Sequence, residues 1–158
     1  MDKIKVTKLF SYADGKLYWL NSRKGVHDIT KEAGGVSDGR RNIMVDGKMY
    51  KTHRLVFLYH HGYLPEVIDH IDCNPLNNHI DNLREATVQL NNYNRSLDRN
   101  NTSGVKGVSW NTRSKKWVVQ VGVNKTRVEV GRFVDLELAE LVAREFRDKY
   151  HGDFARHL

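Results

Sequence analysis

A polar, turn-rich stretch, RSLDRNNTSG from Arg95 to Gly104, interrupts this chain and limits what it can fold into, because no strand or helix with an apolar face can be drawn through it. In a chain of 158 residues such a break favours two small domains over one. The expected division is residues 1–95 as a first domain, 96–104 as a linker and 105–158 as a second domain. A module as small as the first buries a limited fraction of its surface, so its short apolar segments are expected to pack as one unit.

Within the first part, KLYWL (Lys16 to Leu20) and NIMVDGKMYKTHRL (Asn42 to Leu55) read as short strand-like runs, with Asp46-Gly47 as a hairpin signal. The apolar LVFLYHHGYLP follows. After the break the rhythm changes. VKGVSWN (Val105 to Asn111), KWVVQVGV (Lys116 to Val123) and RVEVGRF (Arg127 to Phe133) read as three strands joined by the turns TRSK and NKT. LELAELVAREFRDKY (Leu136 to Tyr150) then sets Leu138, Leu141, Val142, Glu145 and Phe146 near helical spacing, with Asp135 as N-cap. Alternation puts Lys116, Val118 and Gln120 on one face and Trp117, Val119 and Val121 on the other; Arg127, Glu129 and Gly131 oppose Val128, Val130 and Arg132. With the valines and Trp117 against the helix, Lys106, Trp110, Arg113, Lys116, Gln120, Arg127 and Arg132 are left as a basic and amide surface suited to phosphates and base edges.

Chemistry concentrates between Ile68 and Asn92, where Asp69, His70, Asn82 and Asn91 stand in an order that a single-metal DNA-cutting site could use. Cleaving a phosphodiester needs a base for the attacking water, a divalent cation for the developing charge and a group that orients the base. A regular strand points Asp69 and His70 to opposite faces, so a distortion or a wrap-around helix is needed to use both. From Asn82 the run NLREATVQLNNYN is rich in helix formers, with Leu83, Ala86, Leu90 and Tyr93 at helical spacing and Asn91 near its second turn. CNPLNNHID before it is loop-like, giving the order strand, loop, short strand, helix.

These residues resemble the HNH endonucleases, in particular the phage and intron-encoded branch whose third motif residue is Asn. The matching positions are Asp69-His70, Asn82-Leu83-Arg84 and Asn91, with HRLVFLYHHGYLP ahead of them also similar to that branch. The resemblance implies a ββα-metal site: His70 as general base, Asp69 and Asn91 as ligands of one Mg²⁺ or Mn²⁺, Asn82 holding the loop and His70, and products with 5′-phosphate and 3′-hydroxyl ends. Relatives usually carry a small, glycine-like residue where this chain has Cys73. His53 and Arg54 are weak candidates for the scissile phosphate, since HRLVFLY reads equally well as a buried helix with a polar start. His79 is an understudy for phosphate contact or for the base. The remaining histidines, His27, His60, His61, His151 and His157, read as surface or packing residues.

The second part resembles the AP2/ERF DNA-binding domain through Gly107-Val108, Lys116-Trp117, Gly131-Arg132-Phe133 and the helix from Ala139 to Arg144. It departs from that pattern where Val128, Glu129 and Val130 replace the usual tryptophan. Phage-borne homing-type HNH proteins often carry such a module. The expected fold class is therefore α+β, a ββα-metal nuclease module followed by a three-stranded antiparallel sheet with one helix, AP2-like.

A formal net charge of +7 makes a polyanion the natural partner, with binding that weakens steeply as salt rises. One cysteine rules out an internal disulfide and a paired-CxxC zinc cage, so no structural zinc is expected. No long apolar run or signal-peptide core is present, which points to a cytoplasmic protein, in a phage-infected or bacterial host by resemblance, with no membrane or small-molecule partner. The expected activity is a site-selective, homing-type endonuclease acting on double-stranded DNA as a monomer, nicking or cutting. A non-catalytic sequence-specific DNA-binding regulator is the alternative, and an RNA-binding accessory protein a third.

Overall fold

The structure, a computed structural model, describes residues 1–22 and 28–157, so His27 lies outside the described residues. The chain divides into two compact units, Met1–Ala86 and Thr87–Leu158. The division falls ahead of the polar stretch, which belongs with the second unit.

In the first unit α1 (Lys3–Leu9) starts at Asp2, whose carboxylate accepts a hydrogen bond from the Lys5 amide at 2.8 Å. β1 (Phe10–Ala13) and β2 (Lys16–Trp19) form a hairpin. Its turn residues, Asp14 and Gly15, both have positive φ, 46° and 78°, as a two-residue turn of matching twist requires. β3 (Gly35–Ser37), β4 (Arg40–Val45) and β5 (Lys48–Lys51) form an antiparallel meander, with the expected Asp46-Gly47 turn between the last two. The strand-like reading of Asn42 to Leu55 holds only to Lys51, because α2 (Thr52–His61) begins there. Leu55, Val56, Phe57 and Leu58 are consecutive and all buried. A short continuous apolar run of that kind has no period to tell helix from strand.

β6 (Val67–His70) pairs antiparallel with β7 (Leu83–Ala86). Leu83 to Ala86, expected as the first helical turn, is thus a strand. Pairing along its whole length outweighs the small helix preference of Leu, Arg, Glu and Ala. Val6, Phe10, Leu17, Ile43, Leu55, Val56, Ile68 and Leu83 meet in one core that ties α1, both sheets and α2 to the β6–β7 ribbon.

The second unit opens with α3 (Val88–Tyr93), which starts at Thr87, whose hydroxyl accepts from the Leu90 amide at 3.2 Å. β8 (Val108–Asn111), β9 (Lys116–Val123) and β10 (Thr126–Phe133) form an antiparallel sheet in the order β10-β9-β8, and α4 (Leu136–His151) packs on it. Gly107 (φ 78°) lets the chain lie directly on β9, since a Cβ there would sit 2.6 Å from the Gln120 carbonyl oxygen. The buried stripe of α4 is Ala139, Ala143, Arg147 and His151, while Leu138 and Leu141 stay exposed. Of the expected apolar positions Val142 packs against the core while Leu138 and Leu141 do not, and the alanines bring the helix close to Val108 and Val119, which larger side chains would prevent.

A six-residue helix such as α3 is not stable alone. Here Tyr93 stacks on His151 with ring centroids 3.7 Å apart, and its hydroxyl accepts from the Asn124 amide. The Lys106 ammonium donates to the Tyr93 and Arg95 carbonyls, both at 2.6 Å. No helix among the described residues is long and apolar enough to cross a membrane.

Candidate active site

The β6–β7 register sets Asp69 opposite Arg84 and His70 opposite Leu83, so the two site residues on β6 point to opposite faces. Asp69 is 3% exposed, and its Oδ2 accepts from Nε and Nη2 of Arg84, both at 2.8 Å. His70 is also buried. Its Nε2 lies 3.1 Å from Oδ1 of buried Asn78, and the His53 ring stands edge-on to it with centroids 5.1 Å apart.

The loop between the strands is held by its own side chains. Asn82 donates through Nδ2 to Asp72 Oδ1 and to the Asn77 carbonyl, each at 2.9 Å, and accepts at Oδ1 from the Asp72 amide. Asp72 also accepts from the Asn74 amide and from Asn77 Nδ2. Burial raises the Asp72 pKa, but the hydrogen bonds from Asn77, the Asn74 amide and Asn82 outweigh it and hold the carboxyl below the usual range. Cys73 has φ 60°, a left-handed conformation that glycine adopts more readily, which accounts for the position at which the chain departs from the glycine-like pattern.

Burial pushes the His70 pKa down, and the charge of Arg40 adds to this, against the Asn78 acceptor, Asp72 and Asp69, which favour the protonated form. His70 is therefore neutral near pH 7 and able to take a proton. Burial also lowers His53 to about 3, reinforced by the charges of His70, Arg40, Lys51 and Arg54.

His53 has a stability consequence. The folded chain keeps it neutral down to about 3, while the unfolded chain protonates it near 6.5. The unfolded state thus binds more protons between these values, and stability falls as pH drops from 6.5 toward 3. At about 1.4 kcal/mol per pH unit, acidifying to pH 5 is expected to cost the first unit about 2 kcal/mol from this group. Urea unfolding of wild type and His53→Gln across that range checks it; parallel pH profiles would refute the assignment.

Two of the weaker sequence candidates lie on the first turn of α2. His53 is 7% exposed on the first turn of α2, and Arg54 donates to the Pro65 and Glu66 carbonyls, bracing the α2–β6 connection. His79 is partly exposed, with Nδ1 3.5 Å from Asp81. Asn91 lies on α3 in the second unit. Sequence reading gave no role to Asn78 or Asp72 and named Arg84 only as part of the motif; the asparagine pair Asn77-Asn78 was the available signal.

A family model for HNH endonucleases matches residues 50–93, the span from β5 through α3. Protein 3.8 of Escherichia phage T7 is 37% identical over 113 residues, covering 69% of this chain and 91% of that protein. The chain belongs to the HNH endonuclease family. An uncharacterised HNH endonuclease of Acanthamoeba polyphaga mimivirus is 36% identical over 112 residues, covering 69% of this chain and 57% of that protein. No solved structure gives a significant match.

As an HNH endonuclease the protein is an enzyme that cuts DNA, and its family typically uses a divalent metal. Among the described residues no three His, Cys, Asp or Glu side chains converge as a metal cage. The donors of the motif are the Asp69 carboxylate and side-chain amides, hard oxygen ligands that fit a hard divalent ion. Arg84 holds that carboxylate in one orientation.

In this HNH endonuclease the second unit distributes its basic residues unevenly. Glu129 pairs with Gln120 and Gly131 with Val119, so Val130 is an extra residue, a bulge. Arg132 therefore pairs with Val118 and joins the face of Lys116, Gln120 and Arg127, the reverse of simple alternation. There it forms an ion pair with Glu129 at 2.8 Å. Trp110 pairs with Trp117 and so lies on the opposite, helix-facing side, a correction to its expected place beside Lys116. Lys106 is engaged with the Tyr93 and Arg95 carbonyls rather than extended from that face.

Proposed function

We propose that the enzyme hydrolyses phosphodiester bonds of double-stranded DNA at a metal-dependent site in which His70 is the general base, Asp69 and Asn91 are the ligands of one Mg²⁺ or Mn²⁺, and Asn82 holds the loop. The observation that carries this reading is the buried His70, held by Asn78 and adjacent along β6 to the Arg84-bound Asp69, inside the family-matched segment. His70 takes the proton of the attacking water. Asn82 keeps the Asp72–Asn77 turn closed, so that the strand end carrying His70 keeps one geometry. When bound, the cation supplies stabilisation of the charge that develops on the phosphate and the leaving oxygen. One site per chain cuts one strand per engagement, so a monomer acting in the host cytoplasm is expected to nick. Conversion of supercoiled plasmid to nicked form with Mg²⁺ or Mn²⁺, abolished by chelator, tests the activity; persistent cutting in chelator would overturn the metal-dependent reading.

The second unit is proposed as an AP2-like DNA-binding module that gives the enzyme homing-type site selection. A catalytic motif contacting mostly phosphate discriminates little, and a tethered groove-reading surface supplies the rest. The face bearing Lys116, Gln120, Arg127 and Arg132, with Arg113 in the adjoining turn, is the proposed surface. Replacing Lys116 and Arg127 by alanine removes two phosphate contacts. The slope of log affinity against log salt is then expected to become less steep by roughly 2. Fluorescence anisotropy across a salt series reads it, and an unchanged slope would move the DNA to another face.

A further inference from the structure

Buried polar contacts lie behind His70, between the β6–β7 loop and the tip of the β1–β2 hairpin. We infer that Asn78 is a positioning residue that fixes the tautomer and orientation of His70, and that the β1–β2 hairpin holds Asn78 in place. The inference rests on the reading of His70 as the general base.

Asn78 is 3% exposed and its amide oxygen lies 3.1 Å from His70 Nε2. A carbonyl oxygen only accepts, so the facing ring nitrogen must carry the hydrogen. A neutral imidazole with hydrogen on Nε2 has its basic lone pair on Nδ1, which makes Nδ1 the atom that takes the proton from water. The edge-on His53 ring, 5.1 Å away by centroid, restricts rotation of the imidazole about that bond.

Asn78 sits on a loop, and a loop alone would hold an orienting group poorly. The tip of the β1–β2 hairpin supports it. A Cβ on Gly15 would lie 2.7 Å from the His79 amide nitrogen and 3.1 Å from the Asn78 carbonyl carbon, so the two backbones are in direct apposition. Next to this contact the Tyr12 hydroxyl accepts a hydrogen bond from the Ile80 amide at 3.0 Å. The hairpin therefore grips residues 78 to 80 from outside the family-matched segment. This gives β1 and β2 a catalytic consequence without contact with substrate.

Long-range ¹⁵N–¹H NMR of the full-length protein, labelled at histidine and without metal, reads the His70 tautomer directly. The expected form carries hydrogen on Nε2; a wild-type ring with hydrogen on Nδ1 overturns the inference whatever the kinetics show. Asn78→Ala is expected to mix the tautomers and lower kcat by about 10- to 100-fold with little change in DNA affinity, as loss of an orienting partner does. Asn78→Asp keeps an acceptor oxygen, and is expected to restore the single tautomer and most of the lost rate. Equal losses in both variants, or none in Asn78→Ala, would overturn the role. Gly15→Ala, which leaves the His70 surroundings chemically intact, is expected to reproduce the Asn78→Ala effect in milder form, and an unaltered tautomer and rate would remove the hairpin from it. If His70→Ala cuts normally, the general-base reading fails, while the NMR result still decides whether Asn78 sets the ring.

Discussion

His70→Ala is expected to lower the cleavage rate by about 10²- to 10⁴-fold, the usual contribution of a positioned general base. DNA affinity should stay close to wild type, because His70 is 7% exposed and a neutral ring is no strong phosphate ligand. The substitution also leaves the Asn78 oxygen without its partner, at a cost of about 1–3 kcal/mol in stability. Thermal unfolding of the variant therefore has to accompany the nicking assay. A folded variant that binds DNA and fails to nick establishes the role. One that nicks at the wild-type rate removes it and leaves His79 as the next imidazole to test.

Arg84→Ala is the second large effect. Asp69 is 3% exposed and takes both hydrogen bonds from the guanidinium on one oxygen, so removing the cation takes the paired charge away from a buried carboxylate. Breaking a buried pair from one side costs about 3–5 kcal/mol, against a total domain stability on the order of 5–15 kcal/mol. The double variant Asp69→Leu with Arg84→Met should recover much of that loss, since apolar replacement of both partners removes the desolvation penalty. Urea unfolding of the two single variants and the double variant measures the coupling. A double variant as unstable as the sum of the singles would show that the pair contributes little.

The C-terminal sheet and helix were legible in the sequence because valines alternate cleanly from Lys116 to Val123 and the turns carry polar residues. Asp135 was legible as an N-cap for the same local reason: its carboxylate accepts from the Glu137 amide at 2.9 Å. The bulge at Val130 was not, since an extra residue leaves composition unchanged while it reverses the face of everything after it. The strand Leu83 to Ala86 was hidden by its helix-forming residues and appears only through its partner Val67 to His70. At the site, Asp69, His70 and Asn82 stood out by motif. Asn78 did not, because its importance lies in one buried hydrogen bond to a residue eight positions earlier, and polar loops contain many asparagines with no such bond. At His53 the alternative reading of HRLVFLY as a buried helix with a polar start describes what is seen, since His53 is buried on the first turn of α2.

The stacking of Tyr93 on His151 and the clasp of Lys106 on the Tyr93 and Arg95 carbonyls bear on how such enzymes are inherited and rebuilt. The family-wide segment, residues 50–93, ends inside the second compact unit, so the unit of descent is not the unit of folding. A recombination or an engineered chimera joined just after Tyr93 would transmit the complete motif yet discard Lys106, Asn124 and His151, the three side chains or amides that shape its last helix. Viable crossovers are expected instead beyond α4, where the motif leaves together with the groups that support its last helix.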